Sequence, residues 1–137
     1  MRMSHSRDVL FFMDIAALEM DVVCYATAAY HEGSNKYERI AIINTIRNRL
    51  KTGRWGNTVC SVVYADNQFV GVWDETHKKV DEKTYLETKL LVLDTVVFNK
   101  YANPVADALY FHDDSIEAKT HWFGKKRKAK IGHMVFY

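Results

Sequence analysis

The neighbouring residues His31 and Glu32 are the first place in this 137-residue chain where side-chain types suggest chemistry. A carboxyl group in apolar surroundings can stay protonated near neutral pH and donate its proton to a leaving group. A glutamate at a helix end also commonly serves solubility, and a surface histidine needs no further role. We therefore treat Glu32 as a candidate acid and leave His31 outside the catalytic set.

A helix must carry this acid to its place. Apolar positions recur at helical spacing before it, and Asp14 stands where an N-cap is expected. The pattern predicts a helix from Asp14 to about Tyr30 that ends just before His31, with residues 1–13 as an N-terminal extension. A turn over residues 33–35 follows. The repeating positions are Ile15, Leu18, Val22, Tyr25, Ala26 and Ala29.

Three more helices are predicted. The second contains Ile40 to Leu50 and stops at Gly53, since glycine commonly ends a helix. A short helix follows through residues 58–64, with Asn57 as its cap. A long helix is predicted over residues 81–101, where Asn103 and Pro104 prevent its continuation.

The last third of the chain changes to β-prone patterns. Residues 109–111 and 133–137 are predicted strands, and residues 122–130 form a polar connector between them. Helices followed by a small antiparallel sheet near the C-terminus indicate a mainly helical α+β domain. The length fits one domain over residues 1–137, without a repeat or linker.

Composition narrows the functional classes. Hydrophobic residues make up 48% and charged residues 26%, which excludes a disordered chain. The net charge of +2 is too small to indicate nucleic acid as a partner. The basic residues from Lys125 to Lys130 are expected to form a solvated loop, which could instead contact a polyanion.

The cysteines and the chain start suggest an environment. Cys24 and Cys60 lack paired metal-binding spacing, so we expect free, largely buried thiols. The apolar run from Val9 to Met13 is interrupted by Asp14 and has no cleavage site after it, so we expect synthesis in the cytoplasm without a signal peptide. No stretch has the roughly 20 apolar residues of a membrane span.

An ordered series of short motifs carries a family resemblance. Glu32 is followed by the pair Asn48–Arg49, the pair Gln68–Phe69, the ALYFHD run at residues 108–113 and the closing IGHMVFY at residues 131–137. Each motif alone is weak, but five in this order, across about residues 22–137, are specific. The chain resembles the SleB-like cell wall hydrolases, the catalytic domains of spore cortex-lytic enzymes and lytic transglycosylases.

The resemblance implies a lysozyme-like fold and cleavage of the β-1,4 bond between N-acetylmuramic acid and N-acetylglucosamine, with peptidoglycan glycan strands as the partner. It implies Glu32 as the catalytic residue, no metal and no organic cofactor. We predict a lytic transglycosylase that forms 1,6-anhydromuramic acid, with a hydrolytic muramidase as the alternative. We also expect a monomer that acts on the wall after release or as part of a virion, possibly a phage endolysin.

Substrate-binding residues are predicted on the same basis. Saccharide sites combine aromatic platforms with a few directed polar groups, which favours Gln68, Phe69, Tyr110 and His112. Asn48 and Arg49 are interpreted instead as buried hydrogen-bonding residues. Zinc is not expected, because His112, Asp113 and His133 lack a recognised ligand spacing.

The chain departs from the family pattern after Glu32. Family members often carry a second glutamate four residues later, where this chain has Lys36. Glu38 could partly substitute for that acid or could face solvent, and Asp66, Asp74 or Asp113 could be brought close by the fold. Tyr30, Tyr37 and Phe69 are candidates for an apolar wall around Glu32.

Two other functional classes remain open from sequence. A cysteine peptidase would use Cys24 or Cys60, although a thiol in the middle of an apolar helix is expected to be inert. A non-catalytic module that binds an anionic polymer would use the basic residues together with Trp122 and Phe123.

Overall fold

The fold is given by a computed structural model that describes residues 3–65, 80–115 and 126–137, with side chains from residue 14 onward in these ranges. It is mainly helical and has a three-stranded antiparallel sheet formed by the C-terminal third of the chain. The predicted α+β class is confirmed.

The first helix, α1, spans Met3–Glu32. The predicted start at Asp14 is wrong, because no glycine or proline between Met3 and Asp14 breaks the helix, and the supposed extension is largely helical. At 1.5 Å per residue, its 30 residues extend over roughly 45 Å. Despite this length, no helix in the described ranges is long and apolar enough to cross a membrane.

The second helix, α2, spans Lys36–Thr52 and lies at the centre of the molecule. The Asn35 side chain caps its start by accepting a hydrogen bond from the Glu38 backbone N–H at 3.0 Å. Gly53, with φ of 73°, ends it as predicted. Ile42, Ile43 and Ile46 are fully buried, so α2 is covered by its neighbours along much of its length.

The third helix, α3, is a short segment over Val59–Val63. Its cap is Thr58 and not the predicted Asn57, because the Thr58 and Ser61 side chains form a reciprocal capping box with each other's backbone N–H groups. Both Asn57 and Thr58 are good caps by type, and only the partner three residues on distinguishes them.

The two cysteines form a disulfide, so the expectation of free thiols is wrong. Cys24 in the middle of α1 and Cys60 in α3 have Cα atoms 5.2 Å apart, although 36 residues separate them in sequence. The fold brings them together, and no local spacing could have indicated it. Because the chain has only these two cysteines, it offers no free thiol for the cysteine peptidase alternative.

The fourth helix, α4, spans Glu82–Val92, with Asp81 as its cap, and continues as a π-helical turn over Leu93–Val97. It therefore ends before the predicted Tyr101. The Phe98 N–H bonds to the Leu93 carbonyl at 3.1 Å, which widens the last turn, and Asn99 then takes a positive φ of 49°. Asparagine tolerates this conformation and lets the chain leave the helix ahead of Pro104.

The sheet has strands β1 (Phe111–Asp113), β2 (Ala129–Ile131) and β3 (Met134–Phe136), in the order β1-β3-β2. Strand β3 lies within the predicted range, and β1 begins two residues later than predicted. Strand β2 falls almost entirely in the predicted connector, because three residues beside a basic run are too few for an alternating pattern to be recognised. Gly132, with φ of 57°, makes the tight turn between β2 and β3.

The C-terminal half of α2 fastens the segment that leads into the sheet. The Asn48 side-chain amide donates to the carbonyls of Ala106 and Ala108 at 2.8 and 2.9 Å. Arg49 donates through Nε to the Leu109 carbonyl at 2.6 Å. The predicted buried hydrogen-bonding roles of Asn48 and Arg49 are confirmed.

The disulfide yields a stability prediction. A chain with both Cys24→Ser and Cys60→Ser should unfold with a free energy about 3–4 kcal/mol lower than the wild type, because the crosslink restricts the unfolded chain. Guanidinium denaturation under non-reducing conditions measures the difference. A reductant should destabilise the wild type equally and leave the double variant unchanged; identical midpoints for both proteins would contradict the prediction.

Candidate active site at the end of the first helix

Glu32 is the last residue of α1 and is half-buried, as are Tyr30 and His31. The Gly33 backbone N–H bonds to the Ala29 carbonyl at 3.0 Å and closes the helix. A Cβ on Gly33 would come within 2.8 Å of Arg39 Cγ, so this turn is pressed against the first turns of α2. The acid is therefore held at a tight junction between two helices.

Tyr30 fixes the end of α1 against α4. Its hydroxyl accepts a hydrogen bond from the Asp81 backbone N–H at 2.7 Å, and its ring packs edge-on against Tyr85 at 5.6 Å. The same ring contacts His31 at 5.0 Å. Tyr30 thus belongs to an aromatic group at the end of α1, whereas its predicted role in an apolar wall around Glu32 stays a prediction. Tyr85 was not predicted, because only the fold brings α4 to this helix end.

Of the other two residues predicted for the apolar wall, Tyr37 is exposed and Phe69 lies outside the described residues. The Tyr37 side chain is 68% exposed, so it does not supply a desolvating surface here. Phe69 lies outside the described residues, as do the predicted substrate-binding residue Gln68 and the candidate acids Asp66 and Asp74. Their predicted roles stay predictions.

Glu38 is buried, with 1% of its surface exposed, so the possibility that it faces solvent is wrong. Its carboxylate accepts hydrogen bonds from the Ser34 N–H at 2.9 Å, the Asn35 side-chain amide at 3.2 Å and the His133 N–H at 2.9 Å. One buried acid thus fixes the turn that follows Glu32 to the turn between β2 and β3. Because its oxygens are occupied by these donors, Glu38 serves the architecture of the site.

Gly132 is required beside this carboxylate. A side chain there would overlap Oε2 of Glu38, and its positive φ independently disfavours other residues. The sheet consequently approaches the start of α2 through backbone atoms alone at this point.

Two acids at the end of β1, Asp113 and Asp114, lie beside His133 in the turn between β2 and β3. Asp113 pairs with Met134 across β1 and β3, next to His133. Asp114 accepts through its carboxylate from Lys130 at 3.4 Å and lies 3.8 Å from the His133 ring. The Ser115 backbone N–H bonds to Asp113 at 2.8 Å and holds the pKa of that carboxyl below its usual value. Asp113 therefore has the charge state of a base and not of an acid.

Tyr110 lies near the other end of α2. Its half-buried ring packs edge-on against Trp55 at 6.0 Å, and the Arg49 guanidinium lies over both rings, 4.4 Å from Trp55. Burial lowers the pKa of Arg49 to about 10. Arg49 is 13 positions beyond Lys36, or roughly 20 Å along the helix axis. Tyr110 therefore lies near the opposite end of α2 from the turn that follows Glu32, and its predicted substrate contact stays a prediction.

His112 is 9% exposed, and both of its ring nitrogens are engaged. Nε2 lies 2.8 Å from the Tyr137 hydroxyl, and Nδ1 lies 2.8 Å from the Asp113 carbonyl. The geometry gives His112 a part in holding β1 to the chain end, while its predicted substrate contact stays a prediction. Within the described ranges, no group of three or more His, Cys, Asp or Glu side chains is arranged for a metal ion.

The late basic residues divide into two sets. Lys128 and Lys130 form ion pairs, with Asp107 at 3.3 Å and with Asp114, respectively. Lys126 and Arg127 make up the other set, and both are exposed. Lys125, Trp122 and Phe123 lie outside the described residues. Part of the cluster is thus an ion-paired border of the sheet.

Replacement of Glu38 tests the junction. Glu38→Gln should lower the free energy of unfolding by about 2–3 kcal/mol, since an amide NH₂ must face at least one N–H that now donates to a carboxylate oxygen. Urea denaturation measures the loss. The matched control is Glu82→Gln on the exposed first turn of α4, for which a change within about 0.5 kcal/mol is expected. Equal stability of the two variants would show that the buried hydrogen bonds do not hold the junction.

Comparison with known proteins agrees with this architecture. The catalytic domain of the germination-specific lytic transglycosylase SleB from Bacillus anthracis is similar at 28% identity, over 85% of this chain and 92% of that chain, with a TM-score of 0.65. The catalytic domain of the Bacillus cereus SleB protein has the same fold, at 24% identity over 85% of this chain and 88% of that chain, with a TM-score of 0.66. The predicted lysozyme-like fold of the SleB type is confirmed. No curated protein matches the chain significantly.

The family itself is shown by sequence. A family model described as Cell Wall Hydrolase matches residues 33–137. The match covers most of the chain and begins at Gly33, directly after the candidate acid. The protein is an enzyme that acts on the glycan of the bacterial cell wall, and it belongs to the cell wall hydrolase family.

Proposed function

We propose that this enzyme cleaves the β-1,4 bond between N-acetylmuramic acid and N-acetylglucosamine as a lytic transglycosylase, with Glu32 as its catalytic acid and base. The observation that carries the proposal is a half-buried glutamate at the end of a long helix, in a turn fixed by the buried Glu38. The similar Bacillus anthracis domain, described as a lytic transglycosylase, supports the reaction type.

The proposed reaction needs one carboxyl group. Protonated Glu32 donates its proton to the glycosidic oxygen, so that the bond from this oxygen to the anomeric carbon of the muramic acid breaks. The C6 hydroxyl of the same sugar then bonds to the anomeric carbon and gives its proton to the Glu32 carboxylate. The acid is regenerated and no water is consumed. The first step requires Glu32 in its protonated form, and the side chain that would supply this proton is half-buried.

The hydrolytic alternative needs a second carboxylate near the sugar to activate water or act as nucleophile. Asp113 and Asp114 are the described acids on the sheet edge that Glu38 connects to the Glu32 turn. Asp113 accepts from Ser115, and Asp114 contacts Lys130 and His133, so both have partners that compete with a role as base. This competition favours the transglycosylase.

We also propose that the enzyme works outside the reducing cytoplasm, on the wall, after release. The Cys24–Cys60 disulfide supports this, because disulfides form and persist in oxidising environments.

The acid is tested by Glu32→Gln. The amide keeps the shape of the side chain but has no proton to donate, so turnover of purified peptidoglycan should fall by about 10²- to 10⁴-fold while the fold persists. Muropeptide release measures turnover, and circular dichroism monitors folding. Glu19→Gln, on the exposed face of α1, is the matched control and should retain wild-type activity. A folded Glu32→Gln enzyme with more than about a third of wild-type turnover would exclude the assignment.

The reaction type is tested by its products. Mass spectrometry of the released muropeptides should find 1,6-anhydromuramic acid ends, because the C6 hydroxyl replaces water as the nucleophile. Reducing ends, which are heavier by one water, would establish a muramidase and direct attention to Asp113 and Asp114. The absence of any released product would favour the non-catalytic binding module.

A further inference from the structure

A cavity of 260 Å³ lies between the start of α2 and the side of α4. Lys36 and Arg39 line it from α2, and Glu87 and Asp94 line it from α4 and the π-helical turn. Leu90, Leu91 and Tyr101 also line the cavity. Arg39 also packs against Gly33, so the cavity adjoins the turn that follows Glu32.

The charges of the lining are separated by element. The two cations come from α2 and the two carboxylates from α4 and the turn after it, so the lining has no net charge but has a positive and a negative side. Among the ion pairs of the described ranges, none joins a cation of this cavity to one of its carboxylates, although Asp94 contacts Lys100, outside the lining, at 3.8 Å. Lys36 instead contacts Tyr101, 4.9 Å from the ring centre, and a hydrogen bond to this tyrosine raises the pKa of Lys36.

Arg39 adds an independent sign of a missing partner. Its Nε is the one buried side-chain nitrogen or oxygen in the described parts of the chain that has no hydrogen-bond partner. Buried polar groups are ordinarily hydrogen-bonded, and a guanidinium suits a carboxylate particularly well. A ligand carboxylate in the cavity would supply the acceptor once the Arg39 side chain turns Nε toward it.

The size of the cavity limits the ligand. Pockets for small molecules usually occupy roughly 300–1,000 Å³, so this one suits a single small group and not a disaccharide. The group must also present an ammonium to Glu87 and Asp94 and a carboxylate to Arg39 and Lys36. An amino acid end, with both charges on one carbon, meets these requirements.

We propose that the cavity binds the zwitterionic side-chain end of diaminopimelate in the stem peptide of the substrate. The proposal rests on the proposed function, since stem peptides are attached to the muramic acid whose bond Glu32 would cleave. Diaminopimelate is the third stem residue, and three extended residues span roughly 10 Å. That reach suits a cavity whose wall packs on the turn after Glu32. The site would select cleavage positions by their peptides and not by sugars alone.

The test measures binding of a free stem tetrapeptide that contains meso-diaminopimelate, by isothermal titration calorimetry. The wild type should bind it, and amidation of the side-chain carboxyl or acetylation of the side-chain amine should each weaken binding at least about fivefold. Lys36→Gln and Glu87→Gln should do the same with the unmodified peptide. Both residues are exposed at the cavity rim, so the variants should fold, which circular dichroism verifies.

Lys83→Gln and Glu82→Gln are the matched controls, because they change the same charges on α4 away from the cavity, and they should bind within about twofold of the wild type. No binding at millimolar peptide, equal binding of the modified peptides, or equal binding by the cavity variants would each overturn the proposal.

Turnover of a glycan without stem peptides separates peptide binding in the cavity from glycan cleavage at Glu32. Cleavage without peptide binding refutes the cavity alone, whereas binding by an enzyme that cleaves no glycan refutes the proposed function.

Discussion

The buried carboxylate of Glu38 is the interaction on which the rest of the site depends. It accepts from the turn that follows Glu32, from the residue that caps α2 and from the turn between β2 and β3. The turn at residues 34–35 and His133, which is 95 residues beyond Glu38, therefore meet at two oxygen atoms. This convergence ties the turn after α1 directly to the sheet.

A buried charge is costly unless hydrogen bonds replace its lost water. Glu38 meets this condition with three N–H donors, and it stands in the first turn of α2, where the helix dipole favours negative charge. Nearby packing is equally strict: Gly132 leaves no room for a side chain, and Gly33 admits the Arg39 stem. The position of Glu32 thus depends on a buried side chain that accepts from backbone groups and on two glycines that allow the close approach.

Sequence patterns predicted the parts of this fold that local chemistry specifies. The second helix and its Gly53 stop were found because apolar spacing and glycine at a helix end have local causes. The start of α1 was missed because Asp14 has a cap side chain without a cap conformation. Strand β2 was missed because three residues carry no period, and its existence depends on pairing with β3.

The candidate site divides along the same line. Glu32 was predicted through an ordered set of motifs and stays a prediction, whereas Asn48 and Arg49 have the buried hydrogen-bonding roles that were predicted for them. The features that were missed join residues at least 36 positions apart in sequence. They are the Glu38 bond to His133, the Tyr30 contact with α4 and the Cys24–Cys60 disulfide. No pattern within a short window contains such information.

The distance in sequence between Glu38 and His133 has a consequence for biosynthesis. A chain leaves the ribosome from its N-terminus, so Glu32 and Glu38 emerge long before the backbone N–H that completes their junction. A nascent chain that has not reached residue 133 carries the candidate acid but lacks the bond that ties the turn after it to the sheet. The order of synthesis thereby delays assembly of the candidate site until residue 133 has been made.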